Sequence, residues 1–325
     1  MRIISLEQMK PVVTIENAIA AVKACLIEYA AGALQCPEPM QILFNKSKEL
    51  FGDCHVKAAY GSKHPYFVIK VASGFYHNHE QGLPVNNGVS LVMSAKTGAP
   101  IAILDDHGWL TSQRTAAAGA LAAGLKPVSK GATLGIIGTG HQAQLQALTI
   151  CAHLGLSSVL IFGRDENKAK ALQGLLNSKG LTVHVAASVK SLCHNSAIVV
   201  TTTPATYPVI TEDDLPESLH IVAVGADSPG KSEICPNVFA KAHIIVTDDH
   251  MQCLAHGDFG NAVCHGSVSE YADMALGKLL AQNVTYPAFL DDGISIVDLT
   301  GLGVQDLAMA TLIMNQFGMP LHSND

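Results

Sequence analysis

Apolar positions in the first third of the chain follow two different spacings. Over residues 15–31 they recur every three or four positions, which is the spacing of one face of a helix, so we predict an amphipathic helix there. Short apolar runs then follow at 67–71, 89–93 and 101–104, separated by segments containing Gly, Pro and Asn. These runs predict a sheet built mostly of sequential, hairpin-connected strands.

An alanine-rich segment over residues 111–125 follows this sheet and predicts a helix. Thr111 stands at its start, and its hydroxyl is of a type that caps helix N-termini. The segment 126–131 contains Pro127 and Gly131 and breaks the pattern. We therefore place a domain boundary after residue 127, with a second domain over residues 128–301.

From residue 133 onward, apolar strands alternate with helices. Strands are predicted at 133–137, 158–162, 182–186, 198–202, 221–224, 244–247 and 294–298, and helices at 143–154, 166–176 and 305–317. Short apolar strands joined through helices are typical of parallel sheets covered on both faces. The predicted fold class is therefore α/β, with a Rossmann-type doubly wound parallel sheet in the second domain.

A glycine motif joins the first strand and helix of that domain. Gly138 permits a tight turn, Gly140 lets the backbone approach a pyrophosphate, and Ala143 is small enough for helix–strand packing. The backbone N–H groups of His141 and Gln142 lie at the helix N-terminus, where a phosphate is stabilised. The motif alone is weak, but a strand before it and a helix after it favour a dinucleotide site.

The end of the next strand bears on the choice of nicotinamide cofactor. Sites that select NAD carry an acidic residue at this position, and here Gly163 occupies it, followed by Arg164. Glycine leaves room for a 2′-phosphate and arginine can pair with it, so we predict NADPH, with NADH also open. Val224, at the end of strand 221–224, completes the predicted cofactor residues.

Composition excludes several classes of partner. The chain has 325 residues, a net charge of -7 and no lysine- or arginine-rich run, which argues against nucleic acid. No apolar run approaches the ~20 residues of a membrane span, and the start does not read as a secretory signal. The eight cysteines form no CxxC pair, and no spacing indicates a metal site. We predict a cytoplasmic protein that acts on a small molecule.

Several stretches together resemble the ornithine cyclodeaminase/mu-crystallin family over nearly the whole chain. The stretches are residues 68–71, 110–118, 138–143, 225–233 and 300–306. The resemblance implies an α+β domain for substrate binding and dimerisation, completed by residues 302–325, and a Rossmann domain for the cofactor. It also implies a homodimer and a small α-amino or α-imino acid as the substrate.

The resemblance also implies roles for individual residues. Lys70 is similar to a lysine near the substrate carboxylate or imine nitrogen. Arg114 is similar to an arginine that binds the carboxylate near the nicotinamide and pyrophosphate, so it is also a predicted cofactor-binding residue. Thr115 would donate a hydrogen bond to a cofactor phosphate. Asp227 is similar to an acidic residue at the nitrogen end of the substrate, and Thr300 would lie by the nicotinamide. Lys70 and Asp227 are accordingly the predicted catalytic residues.

One departure from the family pattern concerns the carboxylate site. Many members carry a second arginine near the position of Gln41, which can donate only a neutral hydrogen bond. Gln41 is therefore a predicted substrate-binding residue in place of a cation.

The predicted function is the NAD(P)H-dependent reduction of a cyclic imino acid. Among the family's activities we favour reduction of Δ1-pyrroline-2-carboxylate to L-proline, with Δ1-piperideine-2-carboxylate as a related substrate. A cyclodeaminase recycles NAD internally and gains nothing from NADPH, whereas a net reductase does. Three alternatives stay open: a cyclodeaminase lyase with tightly bound NAD, an alanine-type amino-acid dehydrogenase, and a non-catalytic cofactor-dependent binding protein.

Overall fold

The computed structural model describes residues 1–44, 52–75, 77–282, 289 and 292–317, and the chain forms two compact units. The first unit comprises Met1–Arg114 with Leu302–Asp325, and the second comprises Thr115–Gly301. The helix Trp109–Ala123 contributes residues to both units. The division therefore falls within a helix, earlier than the segment at residues 126–131 where we placed it. A continuous helix carries no local sequence signal of a division between units.

The described residues form fifteen strands and eleven α-helices. The strands are β1 Arg2–Ser5, β2 Leu34–Gln35, β3 Met40–Phe44, β4 Gly52–Gly61, β5 Tyr66–Phe75, β6 Asn86–Ser94, β7 Pro100–Asp105, β8 Thr133–Ile137, β9 Ser158–Phe162, β10 Thr182–Val185, β11 Ile198–Thr201, β12 Leu219–Ala223, β13 Ala242–Thr247, β14 Asp273–Ala275 and β15 Ile294–Asp298. The helices are α1 Leu6–Met9, α2 Ile15–Ala30, α3 Trp109–Ala123, α4 His141–Leu154, α5 Glu166–Ser178, α6 Val189–His194, α7 Pro236–Ala240, α8 His250–His256, α9 Asp258–His265, α10 Leu276–Leu280 and α11 Gly303–Phe317.

The sheet of the first unit is mostly antiparallel. Its strand order is β1-β7-β6-β5-β4-β2, with β3 beside β4. β5, β6 and β7 pair in sequence as predicted, and β4 pairs with β5. β1 pairs with β7 in parallel. β4 was not predicted, because Asp53, His55 and Lys57 interrupt its apolar pattern. β5 continues past the predicted run 67–71 through small residues that carry no apolar signal. Helix α11 packs against β4, β5 and α2, so one face of the sheet is covered.

The N-terminus of α3 differs from the prediction. The helix begins at Trp109, so Thr111 lies inside it and is not the N-cap. The carboxylate of Asp106 accepts the backbone N–H of Leu110 at 2.7 Å, which satisfies one of the unpaired N–H groups of the first turn. A turn through Gly108, whose φ of 80° is left-handed, separates Asp106 from the helix. A sequence pattern that places the capping residue directly before the helix therefore does not identify Asp106.

The second unit is a doubly wound parallel sheet, as predicted. Its order is β10-β9-β8-β11-β12-β15-β13-β14, and all of its pairings are parallel. From β8 the chain continues to β9 and β10 on one side, then returns to build β11 and β12 on the other. This reversal lies between β8 and β11, and open α/β sheets bind ligands at such a point. The glycine motif directly follows β8.

None of the described helices is both long enough and apolar enough to cross a bilayer.

Candidate active site

The glycine loop of the second unit has the geometry of an anion-binding turn. Gly138 has a φ of 126°, and a side chain there would collide with Thr202 Oγ1. Gly140 is the residue before α4, and open space surrounds the position a Cβ would occupy. The turn thus needs glycine at the first position for its own shape, whereas the second glycine leaves room for a ligand. These residues fit the pyrophosphate of a dinucleotide.

Helix α4 is anchored so that its N-terminus faces this turn. His141 is its first residue, Gln142 is half-buried, and Ala143 is fully buried, so a larger residue at 143 would disturb the packing. About one turn after Ala143, the fully buried Gln146 donates from Nε2 to the backbone oxygen of Thr115 at 3.1 Å. Sequence reasoning missed Gln146, although a glutamine on an apolar helix face was a visible signal.

The Gly163–Arg164 segment has a structural explanation besides cofactor choice. A side chain at Gly163 would collide with Thr139 Cγ2 in the glycine loop. Asp165 caps α5 by accepting the backbone N–H groups of Asn167 and Lys168 at 2.9 and 3.1 Å. Arg164 lies between them and is exposed. Gly163 therefore leaves room for the Thr139 side chain, and any selection for a 2′-phosphate rests on Arg164.

Thr300 is fixed by a buried aspartate that sequence reasoning did not identify. Its Oγ1 donates to Asp248 Oδ1 at 3.0 Å and accepts from Gln252 Nε2 at 2.9 Å. Burial raises the pKa of Asp248, and the hydrogen bonds from Thr300 and Gly301 oppose that rise. Val224 is nearly buried at the end of β12, where its N–H donates to the backbone oxygen of Thr201.

Asp227 lies in a partly exposed loop and is paired locally. Its Oδ1 accepts Lys231 Nζ at 2.6 Å and Ser228 Oγ at 3.1 Å, and 44% of its side chain is exposed. The pairing was not predicted, although Lys231 stands in the quoted 225–233 stretch. For Asp227 to act as a general acid or base, its carboxylate must leave Lys231 and contact the substrate instead.

Three buried carboxyl groups stand beneath this loop. Glu233 accepts the backbone N–H groups of Gly225 at 2.7 Å and Thr203 at 2.5 Å. Asp258 accepts the N–H of Glu233 at 3.0 Å, and Asp298 accepts the N–H of Phe259 at 2.8 Å. All three carboxyl residues are fully buried. They hold the loops at the carboxyl ends of β11 and β12 in place.

Burial raises the pKa of each of these carboxyl groups. For Asp258 the pKa rises to about 7, first because of burial and then because of repulsion by Glu233. Repulsion by Asp258 adds to the effect of burial at Asp298, whose pKa lies well above its usual value. The cluster therefore carries protons under conditions in which exposed carboxyl groups are ionised.

We expect this cluster to make folding stability fall as pH rises. Folded Asp258 holds a proton up to about pH 7, whereas the unfolded group loses it near 3.8, so its stabilising contribution is complete below 3.8 and is lost as pH rises through 7. Between pH 4 and 8 the free energy of unfolding of wild type should fall. In Asp258→Asn this fall should be smaller by about 1–3 kcal/mol, as followed by urea unfolding. Exposed Glu217→Gln is the control, and equal pH slopes in D258N and wild type would contradict the assignment.

The first unit contains a buried ionic cluster around Asp306. Lys70 Nζ lies 3.0 Å from Asp306 Oδ2, and Arg114 Nε lies 3.3 Å from Asp306 Oδ1. Arg114 Nη1 also donates to Gln305 Oε1 at 3.1 Å. All four residues are buried. Lys70 and Arg114 are therefore both shielded from water.

The surroundings set the charge states of this cluster. Burial lowers the pKa of Lys70 to about 8, opposed by attraction to Asp306 and reinforced by Arg114 and Lys57. Burial by itself would raise the pKa of Asp306, but attraction to Lys70, Arg114 and Lys57 outweighs it and lowers that pKa. Asp306 is thus an anion, while Lys70 changes its protonation state within the range in which enzymes work.

Sequence reasoning missed Asp306 and Lys57. Asp306 was quoted in the 300–306 stretch without a role, although it is the one charged residue of the helix Gly303–Phe317. Lys57 lies on the unpredicted strand β4 and is 7% exposed. In both cases the available signal was a charged residue within an apolar pattern, since burying such a group is costly unless it is paired.

Gln41 does not join this cluster through any contact that the described residues record. It lies on β3, opposite His55 of β4, and its Nε2 is 3.5 Å from His55 Nε2. His55 in turn lies 3.7 Å from Asp53 Oδ1. His55 and Lys57 are two residues apart on one strand, so Gln41 occupies the neighbouring row on the same sheet face as Lys70.

The predicted residues therefore gather in two places. In the first unit, Lys70 and Arg114 meet on Asp306. In the second unit, the glycine loop, Gly163 and Arg164 follow adjacent strands, and Thr300 and Val224 stand at other strand ends. Among the described residues, no three His, Cys, Asp or Glu side chains converge in a way that could hold a metal ion.

Chemically, the two units offer different capabilities. The first holds cations beside a lysine that can give or take a proton near neutral pH, which suits a small carboxylate with a basic nitrogen. The second has an anion-binding turn at the switch point of a parallel sheet. The fold and these features define a Rossmann-type protein of the dinucleotide-binding class.

The chain belongs to the ornithine cyclodeaminase/mu-crystallin family, whose model matches residues 3–318. A protein of Rhizobium meliloti named as a dehydrogenase is 33% identical over 96% of this chain and 94% of its own length. An uncharacterized cyclodeaminase of Sinorhizobium fredii is 35% identical over 80% of this chain and 79% of its own length. A Δ1-pyrroline-2-carboxylate reductase of Bacillus cereus is 30% identical over 74% of each chain. The predicted family is confirmed.

Solved structures confirm the fold class. An archaeal alanine dehydrogenase dimer with bound NAD has a TM-score of 0.86 and 28% identity, covering 97% of this chain and 95% of its own. The Thermococcus litoralis Δ1-pyrroline-2-carboxylate reductase in complex with NADH and L-proline has a TM-score of 0.87 and 23% identity, covering 97% of each chain. The predicted enzyme class, an NAD(P)-dependent oxidoreductase, agrees with the names of these proteins.

Proposed function

We propose that this chain is a cytoplasmic NAD(P)H-dependent reductase of a cyclic imino acid, with Δ1-pyrroline-2-carboxylate as substrate and L-proline as product. The observation that carries the proposal is the buried Lys70–Asp306–Arg114 cluster, in which a lysine with a pKa of about 8 stands beside a guanidinium. A cyclic imino acid needs a cation for its carboxylate and a proton for its nitrogen, and this cluster supplies both.

Each residue has a distinct task in this proposal. The Arg114 guanidinium binds the substrate carboxylate, and Gln41 adds a neutral hydrogen bond. Lys70 Nζ delivers a proton to the imine nitrogen, because an iminium accepts hydride better than a neutral imine does. Asp306 holds Lys70 and Arg114 in place through its two oxygens. For Asp227, which lies in the second unit, the role at the substrate nitrogen stays a prediction.

The second unit holds the dinucleotide. The N–H groups at Gly140, His141 and Gln142, together with Thr115, bind the phosphates, and Val224 and Thr300 border the nicotinamide. Gly138 shapes the turn, and its own N–H donates to the backbone oxygen of Phe162 at 2.9 Å. When bound, the nicotinamide supplies hydride to the imine carbon, while the protein orients and polarises the substrate.

One assay separates the candidate activities. Purified protein is mixed with Δ1-pyrroline-2-carboxylate and NADPH or NADH, and we expect loss of reduced-nicotinamide absorbance with formation of L-proline. Ammonia release from ornithine without net cofactor change would instead establish a lyase, which the name of the Sinorhizobium fredii relative favours. Reduction of pyruvate with ammonia would establish an alanine-type dehydrogenase, which the archaeal neighbour favours. Binding of cofactor and substrate without turnover would indicate a binding protein.

Cofactor preference should depend on Arg164. We propose NADPH as the preferred cofactor, with NADH accepted, because the exposed Arg164 follows β9 where the adenosine ribose is read. Arg164→Ala should raise the apparent KM for NADPH on the order of tenfold and leave that for NADH within about twofold. Initial rates at varied cofactor test this. A similar rise for both cofactors would reject a contact with the 2′-phosphate.

We also propose a homodimer formed through the face of the first unit's sheet that lies opposite α11. That face carries Ile3, Met40, Ile42 and Val71, which are 63%, 61%, 45% and 37% exposed. Exposed apolar patches of this kind mark protein interfaces, and a second copy is the occupant that the archaeal dimeric neighbour supports. Light scattering should give twice the chain mass for wild type, and Val71→Glu should give a monomer. A monomeric wild-type protein would contradict the proposal.

A further inference from the structure

Gln305, at the start of α11, has a buried hydrogen-bond donor that no residue of the described chain satisfies. The side chain is fully buried, and its Oε1 accepts a hydrogen bond from Arg114 Nη1 at 3.1 Å. Because arginine carries donors only, the atom that faces Arg114 is the amide oxygen, which fixes the orientation of the whole amide. Nε2 therefore carries two N–H groups, and neither has an acceptor among the residues that the structure describes.

Helix packing keeps this donor in place. A Cβ at Gly303 would lie 2.6 Å from the backbone oxygen of Ala58, so glycine lets the first turn of α11 approach β4 closely. Buried polar groups in folded proteins almost always have a partner, and an amide donor without one destabilises the fold. We therefore expect Nε2 to serve an acceptor that is not part of the described chain.

Holding Arg114 does not by itself explain a glutamine at position 305. Glutamate would accept a hydrogen bond from the guanidinium more strongly, because both partners would be charged. Its negative charge, however, would repel a carboxylate that binds to Arg114. An apolar side chain would leave Arg114 without this acceptor. Glutamine is neutral, accepts from Arg114 and still offers a donor, so it suits a place beside an anionic ligand.

We propose that Gln305 Nε2 donates a hydrogen bond to the substrate carboxylate, beside the guanidinium of Arg114. This rests on the proposed function, which assigns that carboxylate to Arg114. Once the imine nitrogen is protonated, the carboxylate oxygens are the only acceptors that a cyclic imino acid offers. Gln305 is thus a substrate-binding residue and does not transfer a proton.

The contacts of the guanidinium are compatible with a shared carboxylate. Asp306 Oδ1 lies 3.3 Å from Arg114 Nε, and Gln305 Oε1 lies 3.1 Å from Nη1. We assign the remaining nitrogen, Nη2, to the substrate. Since Oε1 and Nε2 of Gln305 share one carbon atom, an anion bound at Nε2 lies close to the guanidinium. The two oxygens of one carboxylate can accept hydrogen bonds from both residues.

A binding titration measures the contribution of Gln305. Pyrrole-2-carboxylate is titrated into the full-length protein, and fluorescence of Trp109, the single tryptophan, reports binding at the helix that carries Arg114. Gln305→Met should weaken binding about tenfold to a hundredfold, because a hydrogen bond to a charged group is lost. NADH and NADPH affinities should stay within about twofold. Exposed Gln316→Met, on the same helix, is the matched control.

Kinetics should show a binding role and no proton transfer. In Q305M the KM for Δ1-pyrroline-2-carboxylate should rise about as much as the dissociation constant of pyrrole-2-carboxylate, with a smaller change in kcat. The fall in rate near pH 8 should stay where it is, because neither glutamine nor methionine carries a charge that acts on Lys70. Wild-type carboxylate affinity in Q305M, or an equal loss of cofactor affinity, would overturn the proposal.

A spectroscopic measurement separates direct contact from a role in holding Arg114. Glutamine side-chain amides are labelled with ¹⁵N, and the Gln305 signal is assigned by its loss in Gln305→Glu, which keeps an acceptor for Arg114. Pyrrole-2-carboxylate should move one Gln305 amide proton signal downfield and leave the Gln316 signals in place. This measurement uses wild type, so it decides even if Q305M does not fold. An unmoved Gln305 signal at saturation, or the same movement with NADPH alone, would overturn the proposal.

Failure of the proposed function would look different. The spectra are repeated with pyruvate, a monocarboxylate without a ring nitrogen. If wild type reduces no cyclic imine but either carboxylate moves the Gln305 signal, the reductase proposal fails while the carboxylate contact of Gln305 stands. If wild type binds neither carboxylate, Gln305 has no anion to serve, and its role is rejected.

Discussion

Replacing Lys70 with methionine should lower kcat/KM for imine reduction about 10²- to 10⁴-fold, the range that general acid catalysis contributes. Methionine fills a similar volume but carries no proton. In wild type the reduction rate should be level below pH 8 and fall above it, because Lys70 has a pKa of about 8 and donates only when protonated. Steady-state rates from pH 6 to 10 give both the loss of kcat/KM in the variant and the pH above which the wild-type rate falls.

Lys70→Arg is the informative control for this prediction. The guanidinium keeps the charge beside Asp306 but does not release its proton in this pH range. We expect KM to change less than kcat in this variant, and the limb near pH 8 to disappear. A wild-type profile without a limb near pH 8, or a K70R enzyme as active as wild type, would remove Lys70 from the proton-transfer role.

Asp306→Ala should have the largest effect on folding. The substitution leaves Lys70 and Arg114 buried without their shared anion, and breaking a buried pair in this way typically destabilises by about 3–5 kcal/mol. Urea unfolding measures the loss. If enough folded enzyme remains for assay in Asp306→Asn, the upper limb of the pH profile should move below 8, because attraction to Asp306 raises the pKa of Lys70.

A double variant separates charge from packing in this cluster. Asp306→Ala with Lys70→Met removes one charge of each sign, so the pair should be less destabilised than the sum of the two single variants. Additive losses, or a loss below about 1 kcal/mol for D306A alone, would show that the ion pairs do not stabilise the first unit.

Local pattern was enough to identify the second unit and its cofactor loop. Seven of its eight strands were predicted because parallel strands covered on both faces read as short apolar runs. The remaining strand, Asp273–Ala275, is too short and polar to give such a run. Gly138 and Gly140 were found for the same reason, since the turn, the approach to a phosphate and the helix start are encoded in six consecutive residues.

The sequence by itself determined the α/β class, the parallel sheet and the glycine turn, because each depends on residues adjacent in the chain. Only the tertiary structure decided the charge states of the candidate substrate site. Asp306 reaches Lys70 and Arg114 from a helix that follows them by about two hundred residues, and Lys57 meets Lys70 through strand register. Burial and long-range Coulomb interactions set these pKa values, and both depend on distances in space that sequence spacing does not contain.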